Sequence, residues 1–193
     1  MRAFARMRVG AAVALLLAAA LARPRNGIAM SVQGVTFPDT STVGGKPVKL
    51  NGMGVRIAYV FVKVYVAGLY LTTPTHDGKA ATDADEPKRM QLQFLREVSH
   101  DEMVDAMKEG FSHTGTPALQ PQFDQFASWF KEPLREGSQV TFDYVPGTGT
   151  TGTIAGKNAG TIPGPEFMRA LWGIWLGDDP PNQALKDGLL GKG

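Results

Sequence analysis

The chain has 193 residues, 43% of them hydrophobic, with 20 Lys+Arg against 18 Asp+Glu, three histidines and no cysteine. That length and apolar share suit one globular domain with its own core, and the near balance of charge speaks against nucleic acid as a partner. Without cysteine there are neither disulfides nor thiolate metal sites, so the fold has to rest on its core alone.

At the amino terminus Arg2, Arg6 and Arg8 precede an apolar run, residues 9–21, that closes on Ala20-Leu21-Ala22. Charged, apolar and small segments in that order are the layout of a secretory signal peptide. Residues 1–22 are therefore expected to be a cleaved leader and residues 23–193 the mature domain, periplasmic or secreted. The run is short for a bilayer, so no integral span is expected to remain after cleavage. Losing three arginines leaves 17 Lys+Arg against 18 Asp+Glu, and the mature chain is close to neutral.

Residues 32–37 alternate as a first strand ended by Pro38, and residues 39–47 read as a turn-rich connection. Residues 50–72 follow as the organising stretch. From Tyr59 onward they are almost all β-branched or aromatic, which favours a strand. Tyr65, Ala67, Leu69 and Leu71 share one face, Val64, Val66, Gly68 and Tyr70 the other, and both faces need cover. So long a strand calls for a bend or bulge, for which Gly68 is the expected place. Residues 74–87 read as an exposed loop, and Met90, Leu92 and Phe94 alternate with glutamines as a half-buried strand.

Ser99-His100-Asp101-Glu102 matches a capping box, predicting a helix with Met103, Met107 and Phe111 inward and Asp101, Asp105 and Glu109 outward. A second helix is predicted over residues 119–131, with Phe123, Phe126, Ala127 and Phe130 as its apolar stripe. Residues 140–155 read as consecutive hairpins. Pro163-Gly164-Pro165 opens a helix with little polar surface that Gly177 ends, and a short helix over residues 182–190 closes the chain. This succession is α+β, a largely antiparallel sheet with helices on one side.

Most chemical motifs here have bland readings. Gly147, Gly149 and Gly152 satisfy G-x-G-x-x-G, but β-prone residues follow where a phosphate-binding helix should start, so a glycine-rich hairpin is expected. His76, His100 and His113 lie far apart and read as solvated, so neither a metal nor any other cofactor is expected. Asp101, Asp105 and Glu109 read as a wet helix face, and the phenylalanine stripe as core packing ahead of a ligand cavity. Lys63 is expected at a strand edge or reaching to water. Arg56 stands apart: a guanidinium after Gly52 and Gly54, at the mouth of a double-faced apolar segment, can meet a ligand carboxylate, or a structural Asp or Glu of the same chain.

Asn51-Gly52-Met53-Gly54-Val55-Arg56, residues 61–71, the helix over residues 167–177 and residues 185–190 together resemble the chalcone isomerase-like family, in its bacterial exported branch. The resemblance implies an open-faced β-sandwich in which a large antiparallel sheet packs on helices around a cleft. In the plant enzymes an arginine matching Arg56 and a threonine in the next strand bind and cyclise a chalcone; in non-catalytic members that arginine holds a fatty-acid carboxylate. Tyr65 stands at the threonine's place, about three residues nearer to the arginine. In one unbroken strand Arg56 and Tyr65 would sit about 30 Å apart, and no Gly, Pro or Asn marks a turn between them. The resemblance thus implies a non-catalytic binder of a fatty acid or similar carboxylated ligand through Arg56 and Tyr65, with an isomerase of the chalcone type as the second reading.

Overall fold

A computed structural model describes residues 29–193, and the expected leader lies outside the described residues. Its centre is a seven-stranded antiparallel sheet whose spatial order follows the chain: β3 (Thr40–Val43), β4 (Lys46–Ala58), β5 (Val62–Leu71), β6 (Lys88–Phe94), β7 (Gln139–Val145), β8 (Gly149–Ile154) and β9 (Lys157–Ile162). A separate ribbon of β1 (Met30–Val32) and β2 (Val35–Phe37) covers one face. On the other face lie α1 (Gly78–Asp83), α2 (His100–Thr114), α3 (Gln120–Ala127), α4 (Pro165–Leu176) and α5 (Gln183–Leu189). The chain is an open-faced β-sandwich of the α+β class.

The main departure from expectation is in the organising stretch. Residues 50–72 are not one bent strand; the chain reverses at Tyr59-Val60-Phe61, and β4 and β5 form the long central hairpin. Tyr59 and Val60 take left-handed backbone angles, φ 49° and 72°. Each such residue costs about 1–2 kcal/mol without glycine's freedom. Pairing along two strands outweighs this, because it satisfies the backbone polar groups that β4 and β5 turn toward each other, while β6 pairs with the other edge of β5. The expected alternation holds from Tyr65 to Leu71: Tyr65, Ala67, Leu69 and Leu71 enter the helix-side core, whereas Val66 and Tyr70 pack under the ribbon with Phe37. Gly68 is no bend. It makes room for Phe37, whose ring carbon would lie 2.6 Å from an added Cβ. The bulges fall elsewhere, where pairing steps from Leu50–Tyr70 to Gly52–Leu69 and from Arg56–Tyr65 to Ile57–Lys63, leaving Asn51 and Val64 as the extra residues.

Smaller differences have local causes. The first strand is divided by the Gln33-Gly34 turn, and the connection after it holds β3, which pairs with the start of β4. The expected loop of residues 74–87 contains α1, capped by Asp77, whose carboxylate accepts from the Lys79 and Ala80 amides at 2.8 and 3.1 Å. At α2 the Ser99 hydroxyl accepts from the Glu102 amide at 3.1 Å, as a capping box requires. Glu102 binds chiefly to Arg96, and its carboxylate also interacts with the Ser99 backbone N–H. The glycine-rich motif is the β7–β8 hairpin, and Phe123, Phe126 and Phe130 are core, with Phe126 packed tilted or edge-on against Phe123, Phe130, Phe142, Phe167 and Trp129. The apolar helix α4 is buried along nearly its whole length, between the sheet and the layer of α1 and α2.

Candidate functional site

Where β4 ends and β5 begins, the hairpin meets α2 and the loop before α5, and the elements leave a cleft of about 680 Å³. That is the size of a small-molecule site. Its apolar walls come from Val64, Phe94, Met103, Met107 and Ile174. Arg56 and Tyr65 both line it, and they are direct cross-strand partners, so both side chains rise on the helix side of the sheet. The hairpin turn brings together two residues that an unbroken strand would have held far apart.

Arg56 is held without a carboxylate. Its Nη1 donates to the carbonyls of Ile57 at 2.5 Å and Pro181 at 2.8 Å, and no acidic side chain pairs with it among the described residues. The structural salt bridge weighed from the sequence is not formed. Asn182 fixes the backbone around it: its Oδ1 accepts from the Ile57 amide at 3.1 Å and its Nδ2 donates to the Val55 carbonyl at 3.2 Å. Asn182 precedes α5, as an N-cap would, yet its side chain bonds to β4 and makes no cap bond. An Asn ahead of a helix reads locally as a cap, so the sequence gives no sign of this second role.

Tyr65 is buried, edge-on to Phe94, and its hydroxyl accepts from the Trp175 indole at 3.0 Å. Burial raises its pKa, against the opposing pull of the Trp175 bond and the nearby Arg56 charge. The phenol is therefore neutral at physiological pH, a hydrogen-bonding group and not a base. Tyr65→Phe is expected to cost about 1–3 kcal/mol, because it leaves the buried indole N–H of α4 without a partner. Adding Trp175→Phe should recover part of that loss in a double-mutant cycle read by urea unfolding, and strictly additive losses would show that the bond carries nothing.

The remaining polar residues divide. Asp105 and Glu109 are exposed, as expected, but with Glu102 they rim the cleft, whereas Asp101 does not line it. The Arg96 guanidinium holds the Glu102 carboxyl below its ordinary pKa. The histidines are less free than expected: His76 bonds to the Leu190 carbonyl, His100 to the Phe130 carbonyl, and His113 pairs with Asp179 at 3.2 Å across the cleft's rim. Lys63, expected at a strand edge or reaching to water, is exposed on β5, in line with the second alternative, and donates to Gln33 Oε1 at 2.7 Å. No group of three or more His, Asp or Glu among the described residues could hold a metal ion.

A search of curated proteins returns no match. Among solved structures the chain is similar to a fatty-acid binding protein of Arabidopsis thaliana, with a TM-score of 0.67 and 15% identity, over 84% of this chain and 95% of that one. At that identity the likeness shows the fold. The sequence itself matches the chalcone isomerase-like family over residues 29–191, nearly all of what the structure describes, and the chain belongs to that family.

Proposed function

We propose that this chain is a non-catalytic binder of a fatty acid or similar carboxylated apolar ligand, exported by the leader of residues 1–22 to the periplasm or beyond. One observation carries the reading: the Arg56 guanidinium lines a cleft whose walls are part polar and part apolar, with only two backbone carbonyls as partners, both on Nη1. Its other donors have no partner among the described residues, which leaves them for a ligand carboxylate. The alkyl chain would lie along Met103, Met107 and Ile174, with Tyr65 beside the head. The Arabidopsis structural neighbour is a fatty-acid binding protein, which supports this assignment.

Calorimetric titration with a fatty acid and with its methyl ester tests the assignment. Arg56→Ala is expected to weaken the acid by about 10- to 100-fold, the worth of a hydrogen bond to a charged group, and to leave the ester nearly unchanged. Arg56→Lys should recover only part, since an ammonium cannot supply the fork. Each added methylene should tighten binding by about 0.8 kcal/mol until the cleft is full. Equal losses for acid and ester would rule Arg56 out as the anchor.

A chalcone-type isomerase is the second reading. The hairpin favours it in one respect, for Arg56 and Tyr65 are neighbours in spite of their short separation in sequence. Against it, a tyrosine fills more of the cleft than a threonine and its hydroxyl is tied to Trp175, so near-attack geometry for a flavonoid ring closure is not expected. Ultraviolet monitoring of chalcone loss well above the spontaneous rate would reverse the order of the two readings.

A further inference from the structure

Charge is divided unevenly around the cleft. Of the side chains that line it, Arg56 and His113 are basic, whereas Glu102, Asp105, Glu109 and Asp179 are acidic. Two of the acids are already matched: His113 pairs with Asp179 at 3.2 Å, and Arg96, which lies off the lining, binds Glu102. Asp105 and Glu109 make no ion pair among the described residues, and neither does Arg56. Lys108 stands between the two acids in sequence but is exposed, does not line the cleft and pairs with neither. The cleft therefore holds one uncommitted cation, Arg56, and two uncommitted carboxylates at its rim.

Helix α2 sets where those carboxylates stand. Asp105 and Glu109 are exposed and four residues apart, beside the buried Met103 and Met107 of the apolar wall. From Glu102 to Glu109 the helix advances about 10 Å, so each turn of this rim bears an acid. A charged group that leaves the apolar walls along α2 passes within about 8–10 Å, one Debye length, of one of them. The Arg56 guanidinium matches one carboxylate head. A second anion on the same ligand has no cation left to meet. Burying it among Val64, Phe94, Met103 and Met107 carries a large desolvation cost, and bringing it out at the mouth sets it against Asp105 and Glu109.

We propose that Asp105 and Glu109 restrict the cleft to single-headed acids, monocarboxylates whose far end is not anionic, and turn away α,ω-dicarboxylates. The inference rests on the carboxylate reading of Arg56 and adds to that attraction a repulsive element at the rim, and discrimination between similar ligands uses both. The same field favours a cation at the far end.

Calorimetric titration at about pH 8, where ordinary carboxylates and amines are both ionised, compares dodecanoic, dodecanedioic, ω-hydroxydodecanoic and ω-aminododecanoic acids. The hydroxy acid measures what a polar, neutral end costs, so its affinity relative to the diacid isolates charge. In the wild-type chain the diacid should bind about tenfold or more weakly than the hydroxy acid, and the amino acid more tightly than it. In Asp105→Asn/Glu109→Gln, two isosteric changes at exposed positions, both differences should shrink to about twofold or less. Raising the salt to about 1 M, where the Debye length is about 3 Å, should do the same to the wild type. Asp101→Asn, on the same helix but off the lining, is the control and should leave both differences in place. A hydroxy acid to diacid ratio that stays the same in the double variant, or that falls as far in Asp101→Asn, would overturn the proposal and leave Arg56 as the anchor. Failure of dodecanoic acid to bind at all would instead remove the fatty-acid reading, and this inference with it.

Discussion

Gly54→Ala is expected to lower stability by about 3 kcal/mol or more, at or beyond the upper end of overpacking costs, and to loosen Arg56 at the same time. The reason is backbone against backbone. A Cβ at position 54 would lie 2.4 Å from the Leu185 carbonyl oxygen, and one at position 52 would lie 2.1 Å from that of Gly188. Neither neighbour is a flexible side-chain end, so α5 has to move off β4. That motion takes Asn182 and Pro181 with it, and these hold the backbone and the guanidinium at Arg56. The glycines before the arginine thus act as a seat for α5. A melting-temperature fall of about 6–12 °C is the expected scale. It should come with weaker binding of a fatty acid at temperatures where the variant is still folded. Gly137→Ala is the control: its φ is +80° but nothing lies within 4 Å of its Cβ, so only local strain should appear. If Gly54→Ala cost no more than Gly137→Ala, the close packing of α5 on β4 would not be a source of stability.

Much of this fold was legible because burial leaves a period in the sequence. Met90, Leu92 and Phe94 alternate and form β6; Met103, Met107 and Phe111 recur at helical spacing and are the buried face of α2. The apolar continuity of residues 167–176 marked α4 as buried, as it is. The hairpin tip was not legible, because the usual signal is a residue tolerant of positive φ and here Tyr59 and Val60 take that place. Missing the turn placed Arg56 and Tyr65 far apart, although the family resemblance had named both residues. The ties of Asn182 and Trp175 were hidden for a different reason: each lies more than 100 residues along the chain from its partner, and no local pattern encodes which strand a side chain will reach. Sequence therefore gave the residue types of the candidate site, while the tertiary pairing of β4 with β5 and α5 gave their geometry.

Stability should rise with pH between about 8 and 10 in the wild-type chain, and Lys88→Met should abolish that rise. Lys88 sits on β6 with its side chain buried at 1% exposure, its Nζ donating to the Ala81 and Thr82 carbonyls at the end of α1, at 2.6 and 3.2 Å. Burial is the largest cause that pushes its pKa down from 10.5 to about 8, only partly offset by Glu86, Asp85 and Asp83 nearby. The unfolded chain, titrating near 10.5, binds more protons than the folded one throughout the interval between those values. Stability therefore climbs with pH there, and below about 8, where both states are charged, the penalty is constant. At about 1.36 kcal/mol per unit of displacement the full penalty is on the order of 3 kcal/mol. Tyr70 and Tyr144 act in the opposite sense. Their pKa values are raised by burial to about 12, so the stability they contribute is present below 10 and lost as pH rises toward 12. Stability should accordingly peak near pH 10 and then decline. Replacing the amine with a thioether removes the charge penalty but leaves two carbonyls without a donor at about 1 kcal/mol each, so Lys88→Met should be somewhat more stable at pH 7. Urea unfolding of both proteins from pH 7 to 10 decides the matter, and parallel curves would show that Lys88 keeps its ordinary proton affinity in the fold.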